Sequence, residues 1–254
     1  MICLLRTAPA RSLTLPTLAG ALLISAQVAA QETVRGEAER LIADRPGLGD
    51  GAWTIAPDVW LLELGATASD TGPDRIGETS ALLRIGVADF ELRLSLPAPV
   101  FSVAGEDTQF TDAGLGIKLP LGDAANWQWA LIAGLGYPTG TDAVTDEELN
   151  GYATLVGETA LSGNLGFTLN LGAATPVAGG DTELSLLPTL SLAVNDDVAI
   201  YAGYAGYFAD QDQHWGETGL TVAVGRDLQW DINCAYDFEN DAWFAGVGLA
   251  WRWR

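Results

Sequence analysis

The stretch LLRIGVADFELRLSLP, residues 82–97, sets Arg84, Glu91 and Arg93 at alternate positions of an apolar run. A soluble core would leave such charges unpaired, and a membrane helix would not carry them every second residue. Period-two alternation is the mark of a strand with two different faces. The rhythm recurs in twelve segments: 53–64, 76–87, 90–99, 110–120, 127–138, 151–161, 164–174, 183–194, 198–208, 215–224, 228–237 and 243–253. Each has the roughly ten-residue length with which a tilted strand crosses a bilayer. In one of them Leu228, Trp230, Ile232, Cys234 and Tyr236 share a face, while Gln229, Asp231, Asn233 and Asp237 share the other.

Alternation alone fits a soluble sandwich and a membrane barrel equally; three other features separate them. Arg6 and Arg11 precede an apolar run from Leu13 to Ile24, and Val28-Ala29-Ala30 follows with small residues. That pattern reads as a secretory leader cleaved after Ala30. Aromatic residues, among them Trp53, Trp127, Trp129, Tyr137, Trp215, Trp243, Trp251 and Trp253, gather at segment ends as in the girdles of a membrane barrel. Connections alternate in length. Ala88-Asp89, 121–126, Ser162-Gly163, 195–197 and 225–227 are short, and those near 65–75, 100–109, 139–150 and 175–182 are long.

The expected fold is therefore all-β: an antiparallel transmembrane β-barrel of about twelve strands, with short periplasmic turns and longer outer loops. Its expected place is the bacterial outer membrane. Domain boundaries follow as 1–30 leader, 31–52 periplasmic or plug segment, and 53–254 barrel. Pro188 should bring a bulge or break, because it cannot donate to a ladder.

The whole chain carries a formal charge of −21, and the leader contains no acid to remove. Such a chain lacks the basic surface that holds nucleic acid. Cys3 and Cys234 are the only cysteines, too few for a disulfide framework or a zinc site. No cofactor and no metal is expected. Asp146-Glu147-Glu148 reads as a solvated acidic loop rather than a calcium site. His214 is the single histidine, placed by the pattern in an outer loop without a serine near it in sequence. It supports only a minor reading as a lipid-modifying enzyme, and the main reading is not an enzyme.

If Ala88-Asp89 is a two-residue turn, Gly86 faces Glu91 and Arg84 faces Arg93 on the inner wall. Acids must then lie between the two arginines. The lumen-lining candidates are Glu63, Glu78, Arg84, Glu91, Arg93, Asp112, Lys118, Asp231 and Asn233. They could line a constriction, or form a satisfied plug that stiffens the barrel.

Gly248-Leu249-Ala250-Trp251-Arg252-Trp253 resembles the ending that outer-membrane barrels present to the barrel-assembly machinery, with Gly248, Trp251 and Trp253 as its signal residues and Arg254 as a departure. Arg84-x-Gly86, Glu91-x-Arg93 and Pro138-Thr139-Gly140, with Asp44-Arg45-Pro46 ahead of the first strand, resemble the outer-membrane transporter family named for the meta-pathway of phenol degradation. The similarity is best over residues 44–140. It implies a channel or transporter for small organic solutes, hydrophobic and aromatic ones included. Expected partners are outer-membrane lipid, lipopolysaccharide, the assembly machinery and a small organic solute. The alternative reading is a closed barrel with a structural or surface-interaction role.

Overall fold

The computed structural model describes residues 41, 43–70, 75–102, 108–142, 144–145, 147–210 and 212–254. Residues 1–40, which include the expected leader, lie outside them, as does Asp146. Fourteen strands are formed among the described residues: β1 (Trp60–Asp70), β2 (Arg75–Val87), β3 (Phe90–Leu96), β4 (Pro99–Ser102), β5 (Gln109–Phe110), β6 (Ala113–Ala124), β7 (Trp127–Tyr137), β8 (Asn150–Ser162), β9 (Leu165–Pro176), β10 (Glu183–Ala193), β11 (Val198–Phe208), β12 (Gln213–Val224), β13 (Leu228–Asp237) and β14 (Trp243–Trp253). β4 and β5 are short additions on the edge of β2. The other twelve pair antiparallel in chain order, and β1 pairs with both β2 and β14, so the sheet closes. Closure removes the edges that an open sheet would expose.

The two faces are inverted relative to a soluble protein. Arg84, Lys118 and Glu91 are among the largest fully buried side chains, while Leu184, Trp230, Ile232 and Val247 are each more than half exposed. Apolar side chains outward and charges inward is the arrangement of a barrel in lipid. The β2–β3 hairpin has the register that the alternation predicts: Val87 opposite Phe90, Gly86 opposite Glu91, Arg84 opposite Arg93.

Three details differ from expectation. The first strand starts at Trp60, not Trp53, and runs through Gly65-Ala66-Thr67-Ala68-Ser69, small residues that read as a loop. Residues 53–59 instead lie inside the barrel, where Ile55 packs with Leu41, Leu61 and Ala250. Pro188 does not break β10. It pairs in register with Leu169, and only the ladder toward β11 skips Leu187 and Pro188, with the same register on either side. The register shifts fall elsewhere, at Pro120/Gly122 and Ala160/Ser162. Trp215 faces inward rather than joining the outer girdle, and its ring meets Phe244 at 5.7 Å.

Gly86 positions the inner segment. Its N–H donates to Val59 O (2.9 Å), and its carbonyl accepts from Asp58 N–H (3.1 Å). A Cβ at Gly86 would sit on the Ala56 carbonyl, so glycine is needed for this close approach. Gly86→Val is expected to destabilise the barrel by about 1–3 kcal/mol through overpacking. The midpoint of heat-modifiable gel migration should fall accordingly; an unchanged midpoint would show that the approach is not constrained.

Candidate functional site

Residues 43–56 cross the lumen without regular structure. Irregular backbone at membrane depth needs every N–H satisfied, because no lipid group can do so. Inward side chains from five strands supply the acceptors. Glu63 on β1 takes the N–H of Asp44 (3.1 Å) and Arg45 (3.2 Å). Glu217 on β12 takes Leu48 N–H (2.9 Å), and Asn170 on β9 takes Asp50 N–H (3.0 Å). Glu158 on β8 takes Ala52 N–H (3.2 Å), and Glu91 on β3 takes Ile55 N–H (3.1 Å). The segment is thus a plug seated on the polar face of the barrel. Ala52 completes it by packing against Ala130, Ile132 and Val156.

The charges form one network on the wall of β1, β2, β3 and β6. Arg84 grips Glu91 with two nitrogens, Nε to Oε1 (2.6 Å) and a terminal nitrogen to Oε2 (2.7 Å). It also meets Glu63 (2.8 Å), Asp44 (3.2 Å) and the Trp53 carbonyl (3.3 Å). A guanidinium has five N–H donors in a fixed fork, and carboxylates match that fork best. Arg93 opposite is bound by Asp44, Asp50 and Glu91. Lys118 places Nζ between the two oxygens of Asp44 at 2.9 and 3.1 Å. Asp44 is therefore the hub: one plug carboxylate serves three wall cations.

The candidates read from sequence divide into three groups. Glu63, Arg84, Glu91, Arg93 and Lys118 meet in the hub network. Asp231 stands apart on β13 with Arg45 of the plug at 3.5 Å, and Asn233 faces inward two residues further along. Glu78 and Asp112 lie toward the long-loop end. Asp112 does not join Lys118: its Oδ1 accepts from Thr139 and Gly140 N–H (2.9 and 2.8 Å), which pins the loop after β7. Of the terminal signal residues, Trp251 and Trp253 pack together at 5.0 Å and Trp253 stacks on Trp60 at 6.2 Å. Gly248 faces inward, where a Cβ would strike Asp231 and Arg45.

Asp44 and Arg45 enter the sequence reading only through the family resemblance, and Asp50, Glu158, Asn170 and Glu217 are not singled out by the pattern. The last three occupy inward positions of their strands, so alternation places them in the lumen but cannot say what they accept. His214 lies in β12, not in a loop, and its Nδ1 is 2.6 Å from Tyr204 Oη. Its ring stacks on Tyr204 and meets Phe208 edge-on.

Two chambers flank the plug. One of about 950 Å³ opens at the short-turn end and is bounded by Thr168, Asn170, Thr189, Ser191 and Thr221 of β9, β10 and β12. The other, about 340 Å³, lies toward the long loops between β2, β3 and β8.

The family profile described as "Putative MetA-pathway of phenol degradation" matches residues 43–253. The chain belongs to this family. The match begins at the plug, so the hub carboxylate Asp44 lies within the family region along with the barrel. An outer membrane channel from Pseudomonas putida F1 superposes with a TM-score of 0.62 at 12% identity, covering 82% of this chain and 99% of that one. A KdgM porin in complex with disordered oligogalacturonate gives 0.59 at 9% identity, covering 76% and 99%. A NanC porin gives 0.56 at 9% identity, covering 75% and 98%. At such identities the likeness is one of fold, and it is to outer-membrane barrels. None of the curated proteins matches the chain.

Proposed function

We propose that the barrel is a channel for small organic solutes across the outer membrane, hydrophobic and aromatic compounds included. The observation that carries the reading is the pair of chambers beside the plug, since a purely structural barrel of this width has no need of a space of about 950 Å³. The family's description and the channel superposed from Pseudomonas putida F1 support it. The exposed apolar belt would contact outer-membrane lipid and lipopolysaccharide, and the β14 ending would engage the assembly machinery. The leader would deliver the chain to that membrane.

The plug favours a second reading, a closed barrel in which buried ion pairs serve rigidity. One experiment separates the two. Purified protein in planar bilayers and in liposomes, offered a panel of aromatic and aliphatic solutes, should give current and flux. The channel reading is lost if neither appears in the wild type or in Asp44→Ala, the variant expected to unseat the plug.

A further inference from the structure

We infer that the carboxylate of Asp50 divides the two chambers and makes passage selective for neutral and cationic solutes over anions. The inference rests on the channel reading. Asp50 is the single residue that borders both chambers among the described residues. It spans the lumen from wall to wall. Its backbone is clamped to Asn170 on β9 by two hydrogen bonds, N–H to Oδ1 and Nδ2 to the carbonyl, both 3.0 Å. Its side chain reaches Arg93 on β3 at 2.7 Å and remains 30% exposed. The carboxylate therefore stands where the two chambers meet.

The charge on either side has the same sign. Among the described residues the inner chamber is bordered by Asp44, Asp50, Asp123 and Glu158 against the one cation Arg45. The outer chamber is bordered, among the described residues, by Asp50, Glu78 and Asp112 against the one cation Arg93. Both cations are engaged, Arg45 with Asp231 and Arg93 with three carboxylates, and Asp44 and Asp50 are paired in turn, which leaves the charge of Asp123 and Glu158 on one side and of Glu78 and Asp112 on the other. Glu78, Asp112, Asp123 and Glu158 have no cation within ion-pair distance among the described residues. A narrow cleft lined by one sign of charge, with low-dielectric walls, concentrates counter-ions and repels co-ions. Such rings of carboxylates are how cation-selective pores are made.

The test is the reversal potential under a potassium chloride gradient in planar bilayers. Wild type should prefer potassium to chloride. In Asp50→Asn the permeability ratio should fall roughly tenfold, the scale of one elementary charge a few ångströms from the permeant. Asp50→Lys should invert the preference. Asp123→Asn, at the inner rim, should give a smaller shift in the same direction and does not touch the plug. A conducting wild type that prefers chloride, or an Asp50→Asn ratio equal to wild type with current intact, overturns the inference. Absence of current in wild type and in Asp44→Ala overturns the channel reading itself, and this inference with it.

Discussion

Replacing Asp44 by alanine should unseat the plug and raise the conductance of the barrel. Asp44 is the one plug side chain shared by Arg84, Arg93 and Lys118. Arg84 would retain Glu63 and Glu91, and Arg93 would retain Asp50 and Glu91. Lys118 would lose both of its contacts and be left charged in a buried position. Removing one partner of a buried pair costs about 3–5 kcal/mol, because the other charge stays desolvated. When the plug lifts, water reaches Lys118 and that cost disappears. The penalty therefore acts on the seated state alone. A shift of about 3 kcal/mol changes the seated-to-unseated ratio by more than about 100-fold. Two readouts should move together: larger single-channel currents, and thiol labelling of Ala52→Cys in a Cys234→Ser background. Ala52 is fully buried while the plug is seated. Unchanged current with unchanged labelling would refute the assignment of Asp44 as the hub.

The barrel was largely legible because period two is a strong signal when one face is lipid and the other polar. Arg84, Glu91 and Arg93 fixed not only a strand pair but, with the two-residue turn, its register, since a slip of one residue would have put one strand's charges on lipid. The plug was not legible for the same reason. Residues 53–59 include Trp53, Ile55 and Val59 at alternate positions and so mimic a strand; their apolar side chains pack against the inner wall instead. The small residues 65–69 lack large lipid-facing side chains and so mimic a loop, yet the closing ladder to β14 runs through them. Asp112 shares the inward parity of Lys118 on the segment 110–120, but it stands just before β6, where loop N–H groups claim it first. Glu158 and Glu217 illustrate the deeper limit. Alternation says that a carboxylate points inward, and only the path of residues 43–56 shows that it points at a backbone N–H.

The second large effect concerns Arg84. Arg84→Ala should destabilise the folded barrel by about 3–5 kcal/mol, the cost of leaving Glu63 buried without its cation and Glu91 with Arg93 alone. Glu91 loses a two-nitrogen grip, and Glu63 loses its contact at 2.8 Å. Both carboxylates are almost fully buried, so water cannot replace the guanidinium without disturbing the plug. Arg84→Lys should recover only part of the loss, since an ammonium cannot reproduce the fork that meets Glu91, Glu63 and the Trp53 carbonyl together. The rim pair of Arg252 and Asp227, at 3.0 Å, serves as the comparison: Asp227 is 61% exposed. Asp227→Ala should cost less than Arg84→Ala, because Asp227 is solvated and the buried Arg252 keeps the Arg226 carbonyl. Urea titration of the folded barrel in lipid vesicles, followed by gel migration without heating, measures all three variants on one scale. If Arg84→Ala and Asp227→Ala unfold at the same urea concentration, the hub network contributes nothing beyond an exposed ion pair. In that event the buried charges would be attributed to water filling the lumen rather than to direct pairing across it.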